Sequence, residues 1–324
     1  MLLSIIVPVY NEEKALPEFY NSLQRILKKL PYETEIWFVN DGSTDRTSEI
    51  VRSLMNQDAG IGLLELSRNF GHQAALTAGL DFAEGDVVIS MDGDGQHPPE
   101  RIPEMLSLYK QGFDVVLTQR QTSGEGLLKR WTSSIFYKLI NFLSETPVLS
   151  ASADFRLLSR KVVLALRQNR EHHRFLRGLI PWLGFRRTVL SFDPPERIAG
   201  TTKYSVGKML HLASDAIFSF STVPMKLSIL LGCLFFLLAC GQLSHTLYLL
   251  LSGQQERLVP GWTTLIFCIL GGTGVQLVML GILGQYVGKI FQEVKRRPLY
   301  LLQQSIAPKR SKDNTSEDPA GKTA

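Results

Sequence analysis

The residues best suited to chemistry are two aspartates that directly follow an apolar run. Residues 87–91 are apolar apart from one serine, and residues 92–96 read Asp-Gly-Asp-Gly-Gln. In extended backbone, side chains two positions apart project to the same side, so both carboxylates face one region. Adjacent carboxylates repel each other unless a cation lies between them, and a hard divalent cation that bridges a diphosphate meets that need. We therefore predict that Asp92 and Asp94 hold Mg²⁺ or Mn²⁺, although an isolated pair of this kind is more often a pair of solvated turn residues.

Two further polar clusters follow apolar runs. Residues 39–45 read Val-Asn-Asp-Gly-Ser-Thr-Asp, in which Asp41 is suited to accept hydrogen bonds from a base or ribose, while Asp45 is expected to cap the next helix. Behind the first apolar run, Pro8, Tyr10 and Glu12 occupy alternate positions, where they share one face toward a nucleotide. The alternative for this last cluster is the start of a helix.

The elements that position these clusters alternate along the chain. Strands are predicted at 3–9, 35–39, 62–66, 87–91 and 115–117, with helices to about 29, after 45, at 73–82, from 100 to 112 and at 127–143. Such alternation predicts an α/β fold with a largely parallel sheet. Ligands bind beyond the carboxyl ends of the strands in sheets of this kind, which is where the polar clusters lie.

The last hundred residues have a different character. No Asp, Glu, Lys or Arg occurs between Lys226 and Glu256 or between Arg257 and Lys289, so each block is long enough to span a bilayer. We predict transmembrane helices at 223–252 and 262–288, preceded by an amphipathic interfacial helix at 205–222. Basic residues follow the second span, which favours a cytoplasmic catalytic domain, 1–204, and a cytoplasmic juxtamembrane segment and disordered tail, 289–324.

Composition narrows the function classes. The net charge is +5, from 35 basic and 30 acidic residues, but no basic patch is interleaved with aromatic residues, so nucleic acid is not expected as a partner and anionic membrane lipids are. All three cysteines lie inside the predicted spans, which argues against a disulfide framework. His72 and the adjacent pair at 172–173 lack a third ligand at metal spacing, so surface or structural roles are expected for them.

Taken together and in order, the motifs resemble those of polyprenyl-phosphate glycosyltransferases of glycosyltransferase family 2, which include dolichol-phosphate mannose synthases and bactoprenol glucosyltransferases. The resemblance rests on Pro-Val-Tyr-Asn-Glu-Glu at 8–13, Asn-Asp-Gly-Ser-Thr-Asp at 40–45, Ser-Arg-Asn-Phe-Gly at 67–71, Asp-Gly-Asp-Gly-Gln at 92–96 and two carboxy-terminal spans. It covers nearly the whole chain up to about Leu302. It implies a GT-A (Rossmann-like) nucleotide-sugar domain.

The resemblance also assigns residues. It implies that the nucleotide-sugar contacts Pro8, Tyr10, Glu12, Asp41, Arg68, Asp92 and Gln96, and that the metal is held by Asp92, Asp94 and Gln96. Residues 153–157, Ala-Asp-Phe-Arg-Leu, resemble the segment of the catalytic aspartate, Asp154, although many members have glycine at the first position. Asp94 is the second residue assigned to catalysis.

Basic residues are assigned to the phosphate of the acceptor. The segment Glu-Arg-Ile-Ala-Gly-Thr-Thr-Lys-Tyr at 196–204 resembles a family motif that precedes the interfacial helix, and it supplies Arg197 and Lys203. Arg120 and Arg130 match basic positions around the diphosphate or the acceptor phosphate, and a guanidinium group suits such contacts. For Arg130, an ordinary helix-surface position stays a fair alternative.

The expected reaction is the inverting transfer of a sugar from a nucleotide-sugar, with UDP-glucose as the leading candidate, to a polyprenyl phosphate at the inner (plasma) membrane. GDP-mannose and an amino-arabinose remain alternatives as the sugar source. A processive polysaccharide synthase is disfavoured because no Gln-x-x-Arg-Trp motif occurs and two spans are too few for a conduit. A silent nucleotide-sugar-binding scaffold is the rival from another class, and a homo-oligomer or a downstream flippase partner stays open.

Overall fold

The computed structural model describes residues 1–120, 152–171, 174–193, 223–252 and 261–309. The chain divides into two compact units. One comprises Met1–Tyr137, Thr146–Tyr204 and Pro298–Ala324, and the other comprises Lys138–Glu145 and Ser205–Arg297. The first unit therefore takes in residues from both ends of the chain.

The first unit begins with a regular alternation of strands and helices. Its elements are β1 (Leu2–Val9), α1 (Leu16–Leu27), β2 (Glu33–Asn40), α2 (Thr47–Gln57), β3 (Ile61–Leu66), α3 (His72–Phe82), β4 (Val87–Ser90), a 3-10 turn (Pro99–Arg101), α4 (Ile102–Lys110) and β5 (Val115–Arg120). The predicted α/β alternation is confirmed, with boundaries within a few residues. Apolar runs and glycine-rich turns are local signals, which is why the sequence locates these elements.

The later elements complete the sheet. They are β6 (Ser152–Ser159), α5 (Arg160–Gln168), α6 (Leu176–Trp182), β7 (Arg187–Phe192) and β8 (Leu302–Ile306). The strand order is β7-β5-β6-β4-β1-β2-β3-β8. β1 is parallel to β2 and β4, whereas β6 is antiparallel to both β4 and β5. Consequently the beginning of β6 lies at the same edge of the sheet as the ends of β1, β2 and β4.

The core forms two layers, one on each face of the sheet. Alternate residues of β1 enter opposite layers, with Ile5 packed in the layer of Phe19 and Phe38 and Ile6 in that of Trp37 and Leu76. Because both faces are covered, the strands are almost wholly apolar, as expected for parallel strands under helices. Polar side chains are left for the strand ends.

The edge strand β8 comes from beyond the two long helices. It pairs antiparallel with β3, and the Ser67 amide donates to the Leu301 carbonyl oxygen at 2.9 Å. Our sequence interpretation left 289–324 outside the catalytic domain and did not include this strand. The segment Leu-Gln-Gln-Ser-Ile is short and mostly exposed, so it lacks the apolar signature of the central strands.

The second unit contains two long helices, α7 (Val223–Leu251) and α8 (Trp262–Val294). They lie close together, since a Cβ atom on Gly232 would lie 3.2 Å from Cε of Met279. In the described part of the chain, one helical segment, Gly271–Val294, is long and apolar enough to cross a membrane. The predicted first span forms helix α7, and its insertion in a membrane stays a prediction.

Several predicted features lie outside the described residues. These are the helical stretch at 127–143, the interfacial helix at 205–222 and the tail from 310, together with Arg130, Arg197, Lys203 and the histidine pair at 172–173.

Candidate active site

The loops after β1 and β2 are tied to each other. Asn11 has a positive φ of 54°, its amide donates to Ser43 Oγ at 3.0 Å, and its Oδ1 accepts from the Thr44 amide at 2.9 Å. The Glu12 amide donates to Thr47 Oγ1 at 3.0 Å. Because β1 and β2 are parallel neighbours, these bonds hold together, at one edge of the sheet, the two segments that are predicted to contact the nucleotide.

Within the first of these segments, Pro8 is buried and Tyr10 is 37 % exposed. The alternate spacing therefore does not give all three side chains the same environment. Glu12 is half-buried at the start of the turn that leads into α1, where its carbonyl oxygen accepts from the amides of Ala15 and Leu16.

Asp41 holds the loop that follows β3. It is 3 % exposed, and its two carboxylate oxygens accept from the amides of Phe70 at 2.7 Å and Gly71 at 2.9 Å. Burial raises the pKa of Asp41, and the two backbone hydrogen bonds oppose that rise. In the same loop the guanidinium of Arg68 lies 4.5 Å from the centre of the Phe70 ring. Asp41 thus positions a predicted nucleotide loop, besides any contact that it makes with a ligand.

Asp92 lies directly beyond β4 and is half-buried. Its amide donates to Nδ1 of His97 at 2.8 Å, and His97 is fully buried and stacked on Phe155. Burial would raise the pKa of the Asp92 carboxyl, but His97, His72 and Arg120 together hold it below its usual value. Asp92 is therefore poised as an anion.

The other two predicted metal-binding residues lie beside Asp92 in one turn. The Gln96 amide donates to Oδ1 of Asp94 at 3.0 Å, and Oε1 of Gln96 accepts from Nη1 of Arg120 at 3.2 Å. Nη2 of Arg120 lies 3.3 Å from Nε2 of His97. The end of β5 thus brings Arg120, predicted to bind phosphate, to the acidic turn.

Asp154 reaches the same edge of the sheet from β6. Ser90 pairs with Arg156 across the antiparallel ladder, so Asp154 lies two residues further on, level with the turn that carries Asp92. It is 4 % exposed and forms ion pairs with Arg156 and with Arg177, whose Nη2 lies 2.7 Å from Oδ2. Asp154 stays a predicted catalytic residue, and the sequence gave no sign of Arg177 on α6.

His72 lies at the surface, one of the roles expected from the sequence, and it contacts the two acidic groups. Its Nε2 lies 3.5 Å from Oδ1 of Asp92 and 3.4 Å from Oδ2 of Asp154. Desolvation lowers the pKa of His72; Asp92 opposes this effect, and the charges of Arg177 and Arg156 add to it. His72 is the first residue of α3 and directly follows the loop that Asp41 holds. That loop therefore also positions the imidazole.

The residues fit a divalent cation that also binds phosphate oxygens. Within the described residues, no group of three or more His, Cys, Asp and Glu side chains is arranged to hold a metal by itself. Oδ1 of Asp92 is buried and has no hydrogen-bond partner among those residues. Mg²⁺ is commonly held by one or two carboxylates together with substrate phosphates, and a carboxylate oxygen without a hydrogen bond suits that arrangement.

Comparison with known proteins decides the family. The model of glycosyl transferase family 2 matches residues 4–167, which includes the acidic turn and Asp154. The chain belongs to this family. Its sheet, with a parallel core and the antiparallel strand β6 beside β4, is accordingly the GT-A type of α/β fold that the sequence predicted.

Relatives in family 2 match over nearly the full length. The chain is 40 % identical over 303 residues to the uncharacterized glycosyltransferase YkcC of Bacillus subtilis, covering 93 % of each. It is 39 % identical over 310 residues to the SfII prophage-derived bactoprenol glucosyl transferase of Shigella flexneri, covering 94 % of this chain and 98 % of the relative. The predicted resemblance to polyprenyl-phosphate glycosyltransferases is thereby confirmed.

Among solved structures, glucosyl-3-phosphoglycerate synthase of Mycobacterium tuberculosis, in complex with Mn²⁺, UDP and phosphoglyceric acid, aligns with a TM-score of 0.46 and 16 % identity. The alignment covers 67 % of this chain and 76 % of that protein.

Three site residues of this family 2 chain were missed by sequence reasoning. His97, Arg156 and Arg177 are all in or beside the site. Arg156 was quoted within the catalytic-aspartate motif, and alternation places it on the same side of β6 as Asp154. Arg177 is 23 residues from Asp154 and belongs to no motif, so no local signal points to it.

Proposed function

We propose that this chain transfers a sugar, with inversion, from a nucleotide-sugar to the phosphate of a polyprenyl phosphate at the cytoplasmic face of a membrane. The observation that carries the proposal is the meeting of Asp92 and Asp154 at one edge of the sheet, 3.5 Å and 3.4 Å from the same imidazole. Arg120 and Arg177 lie at the same place and supply positive charge for phosphate groups. Carboxylates for a cation and guanidinium groups for phosphates are what transfer from a nucleoside diphosphate requires.

The acceptor and the sugar are proposed from the relatives. Several that match over more than nine-tenths of this chain are named bactoprenol glucosyl transferases. We therefore propose a polyprenyl phosphate as acceptor and UDP-glucose as the first nucleotide-sugar to test, with GDP-mannose and an amino-arabinose nucleotide as the alternatives. A phosphate monoester has a second pKa near 6, so at neutral pH the acceptor is already largely dianionic and needs little help from a base.

We propose that Asp92, Asp94 and Gln96 bind Mg²⁺ or Mn²⁺. When bound there, the cation would neutralise charge that builds up on the departing diphosphate. The chain's own residues set up the site, since His97 fixes the Asp92 backbone and Arg120 fixes Gln96. Pro8, Tyr10, Glu12, Asp41 and Arg68 are proposed to contact the nucleoside side of the same substrate.

For the acceptor end we propose Arg130, Arg197 and Lys203 as phosphate-binding residues, together with Arg120. All but Arg120 lie outside the described residues, so they rest on the family motifs. The proposed placement is a multi-pass protein of the plasma membrane, with both α7 and α8 as spans. Cleavage of the 310–324 tail by protease added to sealed, right-side-out vesicles would contradict a cytoplasmic carboxyl terminus.

The deciding experiment incubates purified protein in detergent with undecaprenyl phosphate and a panel of nucleotide-sugars, and identifies the lipid product by mass. We expect one sugar to be transferred, and nuclear magnetic resonance of the product to show the anomeric configuration opposite to that of the nucleotide-sugar. Asp92→Asn is the matched control that should abolish the product. Nucleotide-sugar binding without any lipid-linked sugar, across the whole panel, would instead favour the silent scaffold.

A further inference from the structure

Both oxygens of Asp154 are already engaged by arginine. Oδ1 accepts from Arg156 and, at 3.3 Å, from Nε of Arg177, while Oδ2 accepts from Nη2 of Arg177 at 2.7 Å. The carboxylate is only 4 % exposed. A general base must reach the proton that it removes, and taking up that proton would break these ion pairs. The geometry therefore suits Asp154 to holding arginine better than to removing a proton.

The two arginines have hydrogen-bonding capacity left over. Arg156 is 1 % exposed, and its Nε and Nη1 have no hydrogen-bond partner within the part of the chain that the structure describes. Burial and the neighbouring charge of Arg177 lower the pKa of Arg156 to about 9. The side chain of Arg177 is 31 % exposed, so it can reach a ligand. A guanidinium group has five N–H donors, and Asp154 takes two of those on Arg177.

The charges in the site favour an anion. Asp92, Asp94 and Asp154 are matched by Arg120, Arg156 and Arg177, so adding a divalent cation leaves an excess of positive charge. Phosphate oxygens are the natural partners of unpaired guanidinium N–H groups, because the fork of Arg binds them in pairs.

We propose that Arg177 binds a phosphoryl group of the substrates and that Asp154 is the positioning residue that orients it. This inference rests on the proposed function and deepens it. The phosphoryl group belongs either to the diphosphate of the nucleotide-sugar or to the acceptor phosphate. Both have the same chemistry at this site, and the experiment below separates them.

The test measures steady-state kinetics of Arg177→Gln, Arg177→Lys and Asp154→Asn in detergent, varying the nucleotide-sugar and undecaprenyl phosphate separately. A charge-assisted contact contributes enough that losing it should raise the KM of the substrate concerned by about tenfold to a hundredfold. Arg177→Lys keeps the charge but not the fork, so it should fall between wild type and Arg177→Gln. The substrate whose KM rises identifies the source of the phosphoryl group.

The double variant Asp154→Asn/Arg177→Gln distinguishes positioning from base catalysis. If Asp154 acts through Arg177, the double variant should be no worse than the poorer single variant, since residues that act as a unit are not additive. Free guanidinium should partly restore Arg177→Ala. Normal kinetics for Arg177→Gln, or losses that multiply in the double variant, would overturn the proposal and leave Asp154 as a base.

Control experiments separate the effect of the phosphoryl contact from loss of folding and from failure of the proposed function. Arg170→Gln removes another Arg–Asp pair, to Asp81 at 2.7 Å, outside the site, and should leave every kinetic constant unchanged. If thermal unfolding shows that Asp154→Asn is not folded, Arg177→Gln carries the test alone. If the wild type forms no lipid-linked sugar, the proposed function fails. Binding of UDP and of inorganic phosphate to Arg177→Gln, measured by calorimetry, then tests the contact with a diphosphate and with a single phosphate separately, and wild-type affinity for both would refute it.

Discussion

Helix α3 has an aspartate–arginine cluster near each of its ends. Near its beginning, His72 contacts Asp92 and Asp154, and Arg177 pairs with Asp154. Near its end, Asp81 accepts from Arg170 at 2.7 Å and from the hydroxyl of Tyr300 at 2.8 Å. The residue types are similar, yet the first cluster lies beyond the carboxyl ends of the strands and the second lies at the opposite end of the helix.

From this difference we infer that the position of such a cluster in the α/β fold decides whether it binds a ligand or stabilises the fold. Among the described residues, buried atoms without a hydrogen-bond partner occur at both ends, on Asp92 and Arg156 at the first and on Asp81 at the second, but the first end lies beyond the carboxyl ends of the strands, where ligands bind in such sheets. At the second end, Tyr300 comes just before β8 and anchors that segment to α3. We expect substitutions at the first end to change activity and substitutions at the second end to change stability.

The largest effect is expected for Asp92→Asn. Removing this charge should lower turnover by a hundredfold or more, roughly the loss seen when one preorganised electrostatic contact is removed from an active site. The unfolding temperature should change little, since Asp92 lies beyond the end of β4. Asp81→Asn is the matched change at the other end of α3, and an equal loss of turnover there would break the comparison.

Removal of the metal tests the cluster near the beginning of α3. Excess EDTA should abolish transfer by the wild type, and adding back Mg²⁺ or Mn²⁺ should restore it, because Asp92 and Asp94 are expected to act through the cation. Activity is measured as lipid-linked sugar formed per minute. Full activity in EDTA would show that the transfer needs no metal ion and would overturn that part of the proposal.

Truncation after Arg297 removes β8 and the Tyr300 anchor. The free energy of unfolding of the sheet should fall by about 2–4 kcal/mol, because each backbone hydrogen bond contributes about 0.5–1.5 kcal/mol net. Differential scanning calorimetry in detergent would measure the loss. Truncation after Lys309 keeps the strand and serves as the control, which should unfold like the full chain.

A smaller effect on activity is expected for His72→Ala. This change removes the group between Asp92 and Asp154, so we expect turnover to fall about tenfold, as for the loss of one charge-assisted contact. His72→Gln, which keeps a hydrogen-bond donor near the two carboxylates, should recover part of the activity. If His72→Ala has wild-type turnover, the imidazole has only a packing role.

The smallest effect is expected for Tyr300→Phe. Burial, followed by the charge of Asp81, raises the pKa of Tyr300, so its hydroxyl stays protonated and donates to Asp81. Losing one such bond should cost about 1 kcal/mol of unfolding free energy and leave the kinetics unchanged. Chemical denaturation measures the free energy of unfolding of the wild type and of Tyr300→Phe. A large kinetic defect in Tyr300→Phe would show that the second cluster contributes to activity.

The sequence by itself determined the central strands and the polar turns behind them. β2 and β4 contain apolar runs that are closely followed by aspartate and glycine, and these signals act within a few residues, so Asp41, Asp92 and Asp94 were placed at strand ends before any tertiary contact was known. Motif order also identified the family. In the second unit, α7 matches the predicted 223–252 to within one residue, whereas α8 continues six residues beyond the predicted 262–288, to Val294.

Only the tertiary structure decided which distant side chains meet. Because β6 enters the sheet antiparallel beside β4, Asp154 comes level with the turn of Asp92. Arg177 and His72 then reach Asp154 from two different helices. β8 was likewise invisible in a polar five-residue segment, and it exists because β3 offers it an open edge. Such pairings depend on long-range packing, which leaves no periodic pattern in the residues that it brings together.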